Sequence, residues 1–498
     1  MRFLRALILV AFLVQARAAV DPPTGPTVFN FRRENVLGTS FDLTVQAPEE
    51  SMAKRAETAT LEEIERLRKI LSTYDSQSEI SRLNATEKSV PCSRELIEVL
   101  TGYETWGQRS QGAYSAQLGG VIQLWRESEK LDRLPDPSAL AKVLPKPGMP
   151  PWTIDRVANT VTRTGGQALD LNSLGKGYIL GQALRAAIAR APGVRGLLLN
   201  LGGDIRVWGM SPAGTSFWKI GVADPRHPGE NSAPLTEIRL TDRAISTSAA
   251  YERGFRIGGK HYSHIFDPRT GWPARGVASA TVVAPDNVAA NALATMLCVL
   301  PPKDGLAVVA NLIGVECLIV GEDGEQFRSP GFRALEQMPA KPASVGSKWP
   351  EGFGVSLSVS LKTFPGGRRP YVVVWVEDGR GKPVRTVTVW ARNLSYLESL
   401  SEWFQIRELS SEEGSQSVTR ATRQAGRYTV IWDGTDNQGR PVDRGDYTIS
   451  LEVAREHGGH GVKSATIHCG SEAVSTVIPG TGEFGDCPLK FGPLDDKP

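Results

Sequence analysis

Near Met338 the sequence changes its period, and that change constrains the fold more than any other feature. Upstream, apolar residues recur at helical spacing. Leu61, Ile64, Leu67 and Leu71 do so with Glu and Arg between them, and Lys176 to Ala191 and Val288 to Leu300 continue the pattern. Between these helices lie strand-like runs such as Gly196-Leu197-Leu198-Leu199-Asn200 and Ala280-Thr281-Val282-Val283. Strands and helices intermix without the regular beat of a doubly wound sheet, so this part reads as an α+β domain. Pro339, Lys341, Pro342, Ser344, Gly346, Ser347 and Pro350 then read as a linker over 339–350. Beyond it the pattern is purely β. Tyr371 to Val376 and Val384 to Trp390 flank Asp378-Gly379-Arg380-Gly381, a hairpin signal. Tyr428, Val430 and Trp432, then Tyr447, Ile449 and Leu451, alternate with polar residues, and Asp433-Gly434 and Asn437-Gln438-Gly439 mark a turn between those two strands. Residues 351–498 are expected to form a β-sandwich.

At 498 residues the chain exceeds what one ordinary core can hold. Its 57 basic and 54 acidic residues nearly cancel, and no Lys/Arg run stands out, which argues against a nucleic-acid partner. Residues 1–18 read as an export signal. Arg2 and Arg5 precede the apolar run Ala6 to Val14, and Ala16-Arg17-Ala18 supplies small residues for cleavage. That run is too short for a stable membrane span. A soluble periplasmic protein is expected, with its first domain over 19–338. Cys298 and Cys317 sit in apolar runs as core thiols, Cys92 is unpaired, and Cys469 and Cys487 lie where a disulfide is possible.

The densest polar motif is Tyr262-Ser263-His264-Ile265-Phe266-Asp267-Pro268-Arg269-Thr270-Gly271. Five other marked segments flank it in order. They are Leu37-Gly38-Thr39; Ser72-Thr73-Tyr74 with Ser78-Glu79-Ile80-Ser81-Arg82-Leu83-Asn84; Asp170-Leu171-Asn172-Ser173-Leu174-Gly175-Lys176-Gly177; Asn200-Leu201-Gly202-Gly203-Asp204-Ile205; and Ala289-Ala290-Asn291-Ala292-Leu293-Ala294-Thr295. From Val36 to Leu300 this ordered set resembles the ApbE family of FAD:protein FMN transferases. The run Trp432 to Gly439 through Gly445-Asp446-Tyr447 looks like the Ig-like modules of flagellar-hook capping proteins. The whole tail is similar to an uncharacterised β domain that accompanies some ApbE-like proteins.

The resemblance implies a chemistry. FMN passes from FAD to a threonine of an acceptor flavoprotein of an electron-transport complex, and AMP leaves. His264 is the candidate catalytic base, since imidazole can take a hydroxyl proton near neutrality, and Asp267 either orients it or holds the turn with Arg269. In the family an Asp and a Thr hold Mg2+ together with a backbone carbonyl. Here those positions are Asn291, Thr295 and Ser173, and the amide lacks the charge of the acid. Asp170 and Lys176 would contact the adenosine half or pyrophosphate of FAD, at a helix start whose free N–H groups suit phosphate. Leu37, Gly38, Tyr74, Ala113, Tyr114 and Ser115 would line the flavin pocket, and Gly202 and Gly203 would let backbone approach it. Ser115-Ala116-Gln117 departs from the usual Asp-x-Thr, and Gly181 stands where an acid is common. Asp286 is a possible compensating acid. An FAD pyrophosphatase and a non-catalytic flavin-binding protein use nearly the same residues and stay open on sequence. His457 and His460 lack a supporting ligand cluster and read as a solvated loop.

Overall fold

The computed structural model describes residues 27–146, 150–226, 234–250, 254–337, 349–350, 352–363, 370–390, 399–408, 419–420, 425–437, 440–455 and 459–494. The expected export signal, Met338, most of the expected linker, Gln438-Gly439 and His457 lie outside them.

The first unit is built on an eight-stranded sheet whose strands run in chain order, each antiparallel to the next. They are β1 (Thr27–Val36), β2 (Thr39–Ala47), β3 (Gly196–Leu201), β4 (Asp204–Gly209), β5 (Ala244–Ala249), β6 (Val277–Ala284), β7 (Glu316–Gly321) and β8 (Gln326–Arg328). Both faces are covered, so the central strands are apolar on both sides rather than alternating. Ala280 and Val282 of β6 join the main core, while Val283 joins a second cluster with Trp218, Ile238 and Phe332. That second cluster packs under a small sheet of Trp218–Val222, Thr236–Leu240 and Glu336–Gln337.

Three helices carry the other face: α1 (Glu50–Leu71), α2 (Asn172–Arg190) and α3 (Asn287–Val299). Helix α3 is buried nearly all round, since Ala289, Ala290, Ala292 and Ala294 leave room for neighbours on every side. Its first turn is capped by Asp286, whose side chain accepts from Ala289 N at 2.9 Å. The acid weighed as a metal ligand is therefore spent as a helix cap.

Helix α2 begins four residues earlier than its apolar pattern indicates. Asn172 is its first residue, Asp170 belongs to no strand, and Gly175-Lys176-Gly177 lies inside the helix. The Asp170 carboxylate accepts from Asn172 N at 3.0 Å. The chain's own carboxylate thus occupies an amide of the helix start that the sequence offered to phosphate.

The second unit is a sandwich of two sheets. One holds Phe353–Leu361, Gly426–Trp432, Val474–Ile478 and Cys487–Pro493; the other holds Tyr371–Asp378, Pro383–Trp390, Thr419–Arg420, Gly445–Ala454 and His460–Cys469. Trp349, Trp432, Tyr447 and Phe491 pack edge to face at its centre. The hairpin at Asp378 forms as its turn residues indicate. Three expectations change. A helix, Ser401–Glu408, interrupts the β pattern. The strands ending at Trp432 and starting at Gly445 lie in different sheets, so their connection crosses the sandwich instead of closing a hairpin. Cys469 and Cys487 also fall on different sheets and remain separate buried thiols. Burial pushes the Cys469 thiol up to about 12 and raises that of Cys487, which leaves both unreactive.

Candidate functional site

His264 follows a short hairpin, Gly254–Ile257 with Lys260–Ser263, and its ring is exposed while Ser263 and Ile265 on either side are buried. The base beneath it is rigid. Trp125 packs against Phe255, Tyr262, Phe266 and Trp272, and its indole N–H donates to the Gly271 carbonyl at 3.0 Å. Gly271 takes a φ of 71° and closes the turn by donating to the Asp267 carbonyl. The Asp267 carboxylate accepts from Arg269 backbone N, Nε and Nη2 at 2.8–2.9 Å. Of the two roles open to Asp267, it fills the turn-holding one.

A seam between α2 and α3 gathers the remaining polar motifs. At Gly177 a Cβ would stand 2.4 Å from the Asn287 carbonyl oxygen and 2.8 Å from Asn291 Cβ. Only glycine admits this approach. It lets Gly177 N–H point at Asn291 Oδ1, at 3.4 Å. Asn291 Nδ2 donates to both Asp204 oxygens at 3.3 Å, and Lys176 Nζ meets Asp204 Oδ2 at 2.5 Å. Thr295 Oγ1 donates to the Asn291 carbonyl at 3.3 Å and lies 3.4 Å from Ser248 Oγ. On α2, the Ser173 carbonyl accepts from Tyr114 OH at 2.9 Å, and Tyr103 OH lies 2.9 Å from Ser173 Oγ. The two tyrosine rings stack at 5.1 Å. Burial pushes both phenols up, so they stay protonated as donors.

Hydrogen bonds tie the other segments to this seam. Asn84 brackets the Leu169 backbone, donating to its carbonyl at 2.9 Å and accepting its N–H at 2.8 Å. Asp170 N donates to the Ala116 carbonyl at 2.7 Å, which joins the Ala113-Tyr114-Ser115 segment. Ala113 and Tyr114 are buried, and Ser115 Oγ accepts from Gln117 N. Tyr114 thus supports the Ser173 carbonyl from below rather than facing an open pocket. Leu37 and Gly38 form the β1–β2 turn with φ of 53° and 76°. That turn abuts the next, for Gly202 N donates to Ser40 O and a Cβ on Gly202 would meet Thr39 Oγ1. Gly203 beside it is exposed, with a φ of 91°.

Tyr74 is 72% exposed, with the Arg126 guanidinium 5.7 Å from its ring centroid. Its neighbour Thr73 Oγ1 reaches Asp170 Oδ2 at 3.5 Å. Burial pushes the Asp170 carboxyl up, against the hydrogen bonds from Asn172 and the Arg126 charge. Gly181 brings no acid; a Cβ there would approach Asn287 Oδ1, a buried acceptor with no partner.

Sequence reasoning missed Asp204, Arg126 and Tyr103. Asp204 had a visible signal, an acid directly after a glycine pair in a motif already marked. Arg126 and Tyr103 had none, being single residues on amphipathic helices. His460 was misread: it opens a strand, and its Nε2 lies 2.7 Å from the buried Glu452. Among the described residues, no group of three His, Cys, Asp or Glu is placed to hold a metal.

Comparison with known proteins agrees with this geometry. A curated FAD:protein FMN transferase of Treponema pallidum is 30% identical over 325 residues, covering 60% of this chain and 87% of the relative. Another, from Klebsiella pneumoniae, is 25% identical over 357 residues, covering 67% and 98%. The crystal structure of the ApbE protein of Thermotoga maritima superposes with a TM-score of 0.57 at 29% identity, over 62% of this chain and all of that one. Residues 353–486 match the family described as "Predicted periplasmic protein (DUF2271)". Residues 37–319 match the ApbE family model, and on that match, across the sheet, the seam and the histidine turn, the chain belongs to the ApbE family.

Proposed function

We propose that this protein transfers FMN from FAD to a threonine of an acceptor flavoprotein and releases AMP. The observation that carries the reading is the hydrogen-bonded seam: polar segments far apart in sequence converge on α2 and α3, in a chain whose relatives are named FAD:protein FMN transferases. In the reaction, the threonine oxygen forms a bond to the FMN phosphorus. The bond from that phosphorus to the bridging oxygen breaks, and AMP departs with the electron pair. His264 takes the hydroxyl proton, for which its exposed ring on a rigid turn is suited. Lys176, tethered by Asp204, would turn its remaining ammonium hydrogens to the phosphates. Tyr74, Leu37 and the Gly202-Gly203 turn form the flavin side.

Mg2+ fits this donor set in kind. Ser173 O, Asn291 Oδ1 and Thr295 Oγ1 are hard oxygens of the kind Mg2+ takes. All three are neutral, so the phosphates of FAD would supply negative charge to the ion. When bound, the ion would neutralise charge on the pyrophosphate as it breaks.

The export signal and the match of the second unit to a predicted periplasmic family support action outside the cytoplasm, on flavoproteins of electron-transport complexes. No helix among the described residues is long and apolar enough to cross a membrane. The sandwich, in whose sequence no catalytic set stands out, is assigned to binding or positioning the acceptor.

The test is to incubate the protein with FAD, Mg2+ and an acceptor flavoprotein domain, then weigh the acceptor. A mass gain equal to FMN, lost in H264A, is the expected result. AMP release with an unmodified acceptor would make the protein an FAD pyrophosphatase instead.

A further inference from the structure

Asp204 opens β4 directly after the Gly202-Gly203 turn and is 2% exposed. A carboxylate this deep requires partners. It finds them in two residues of the site, Lys176 at 2.5 Å and the Asn291 amide at 3.3 Å to each oxygen. Reversing that amide would set Oδ1 against the carboxylate, acceptor to acceptor. Asp204 therefore selects the orientation in which Oδ1 turns toward Gly177 N–H. The Gly177 contact fixes the height of α3 against α2, so residue 291 has no room to withdraw.

We propose that Asp204 is a positioning residue matched to Asn291: it orients the amide, tethers Lys176, and makes a carboxylate at position 291 tolerable only with a bound cation. The inference rests on the proposed reading of this seam as the metal and phosphate side of the flavin site. As the chain stands, Lys176, Asp204 and Asn291 sum to zero charge, and the three side chains satisfy one another. An acid at 291 would set two carboxylates across the same contact with one ammonium between them. Like charges at that range in a buried site repel strongly, and a divalent cation would relieve them. The amide thus trades metal affinity for a seam that is complete in the metal-free protein.

Thermal melting of the full-length chain tests this without FAD or acceptor, so a protein inactive in transfer leaves the test intact. In chelator, N291D should melt several degrees below wild type, and millimolar Mg2+ should restore most of the loss while moving wild type little. D204N alone should lower the melt, since it leaves Lys176 unpaired. The decisive variant is N291D/D204N, which exchanges amide and acid across the contact and should melt above N291D in chelator. A purely structural Asp204 gives the opposite sign, two losses adding. If N291D does not fold, the double variant should still give a soluble protein with a cooperative melt. The proposal is overturned if N291D matches wild type in chelator, if Mg2+ raises both equally, or if the double variant is less stable than N291D or fails to fold.

Discussion

The two units of this chain each bury a carboxylate, and they satisfy it in different ways. In the sandwich, Glu452 is 0% exposed and accepts from the backbone N–H groups of Glu402 and Trp403 at 3.1 and 2.9 Å, with His460 at 2.7 Å. It caps the start of the Ser401–Glu408 helix, where a negative charge is favoured. Its backbone partners cannot be used for anything else. In the flavin unit, Asp204 is held by a lysine and an amide, side chains free to meet a ligand. A buried acid therefore does not mark a site by burial alone. What marks it is whether backbone amides share in holding it, as at Glu452, or side chains alone do, as at Asp204 with Lys176 and Asn291.

The most severe break of this contrast is at His264. H264A should slow transfer by about 10²–10⁴-fold, read as the rate at which acceptor mass appears. Its melting temperature should stay near wild type, because the exposed ring adds little to the packing of the aromatic base. Equal loss in rate and stability would move His264 from chemistry to structure.

The sandwich should show the reverse. Trp432 meets Trp349 at 5.0 Å and Tyr447 at 4.9 Å in the buried centre. W432A should cost roughly 3–5 kcal/mol of that unit's stability, visible in denaturant unfolding followed by near-UV circular dichroism. FAD binding, measured by flavin fluorescence, should not change. A fall in FAD affinity would mean that the two units share more than a chain.

Gly177 sharpens the comparison inside the flavin unit. G177A adds a methyl group where the Asn287 carbonyl and Asn291 Cβ already stand. The seam must open, at a cost of about 1–3 kcal/mol, and Asn291 moves with it. Both melting temperature and transfer rate should drop, unlike either variant above.

Much of this was legible in the sequence, and the limits have physical causes. The helical spacing of Leu61 to Leu71 and the β alternation beyond Met338 report which face of an element is buried, so the α+β and all-β halves could be read. Helix α2 was started late because its first turn, Asn172-Ser173-Leu174, carries no apolar period; a local hydrogen bond from Asn172 N to the Asp170 carboxylate, two residues back, stands at that boundary instead. The sandwich helix was missed because Glu452, about fifty positions away in the chain, supplies its cap. Pairing across sheets was likewise invisible for Cys469 and Cys487, whose spacing says nothing about which layer each strand joins. In the site, residue types and order were readable, while the partner of each polar atom was not. Asn291 looked like a weakened metal ligand; beside Asp204 it is also a hydrogen-bond donor to both oxygens of a buried acid.

The smallest expected effect concerns Asp170, and its sign separates a ligand site from a scaffold. Burial raises its carboxyl pKa above the ordinary value despite the bonds from Asn172. A raised folded-state pKa means that the folded chain holds the proton more tightly than the unfolded one. That contribution is complete below the ordinary carboxylate range and is lost as pH rises through the raised value. Above it, the ionised group burdens the fold. D170N removes the titration and keeps an oxygen to accept from Asn172 N. Its melting temperature should therefore gain on wild type as pH rises from the acid range to neutrality, then hold a constant difference. FAD affinity should fall in the same variant, as expected where a group is kept for its ligand at some cost to stability. A D170N protein that loses stability at neutral pH would instead place Asp170 with Glu452, as an acid that serves only to start its helix.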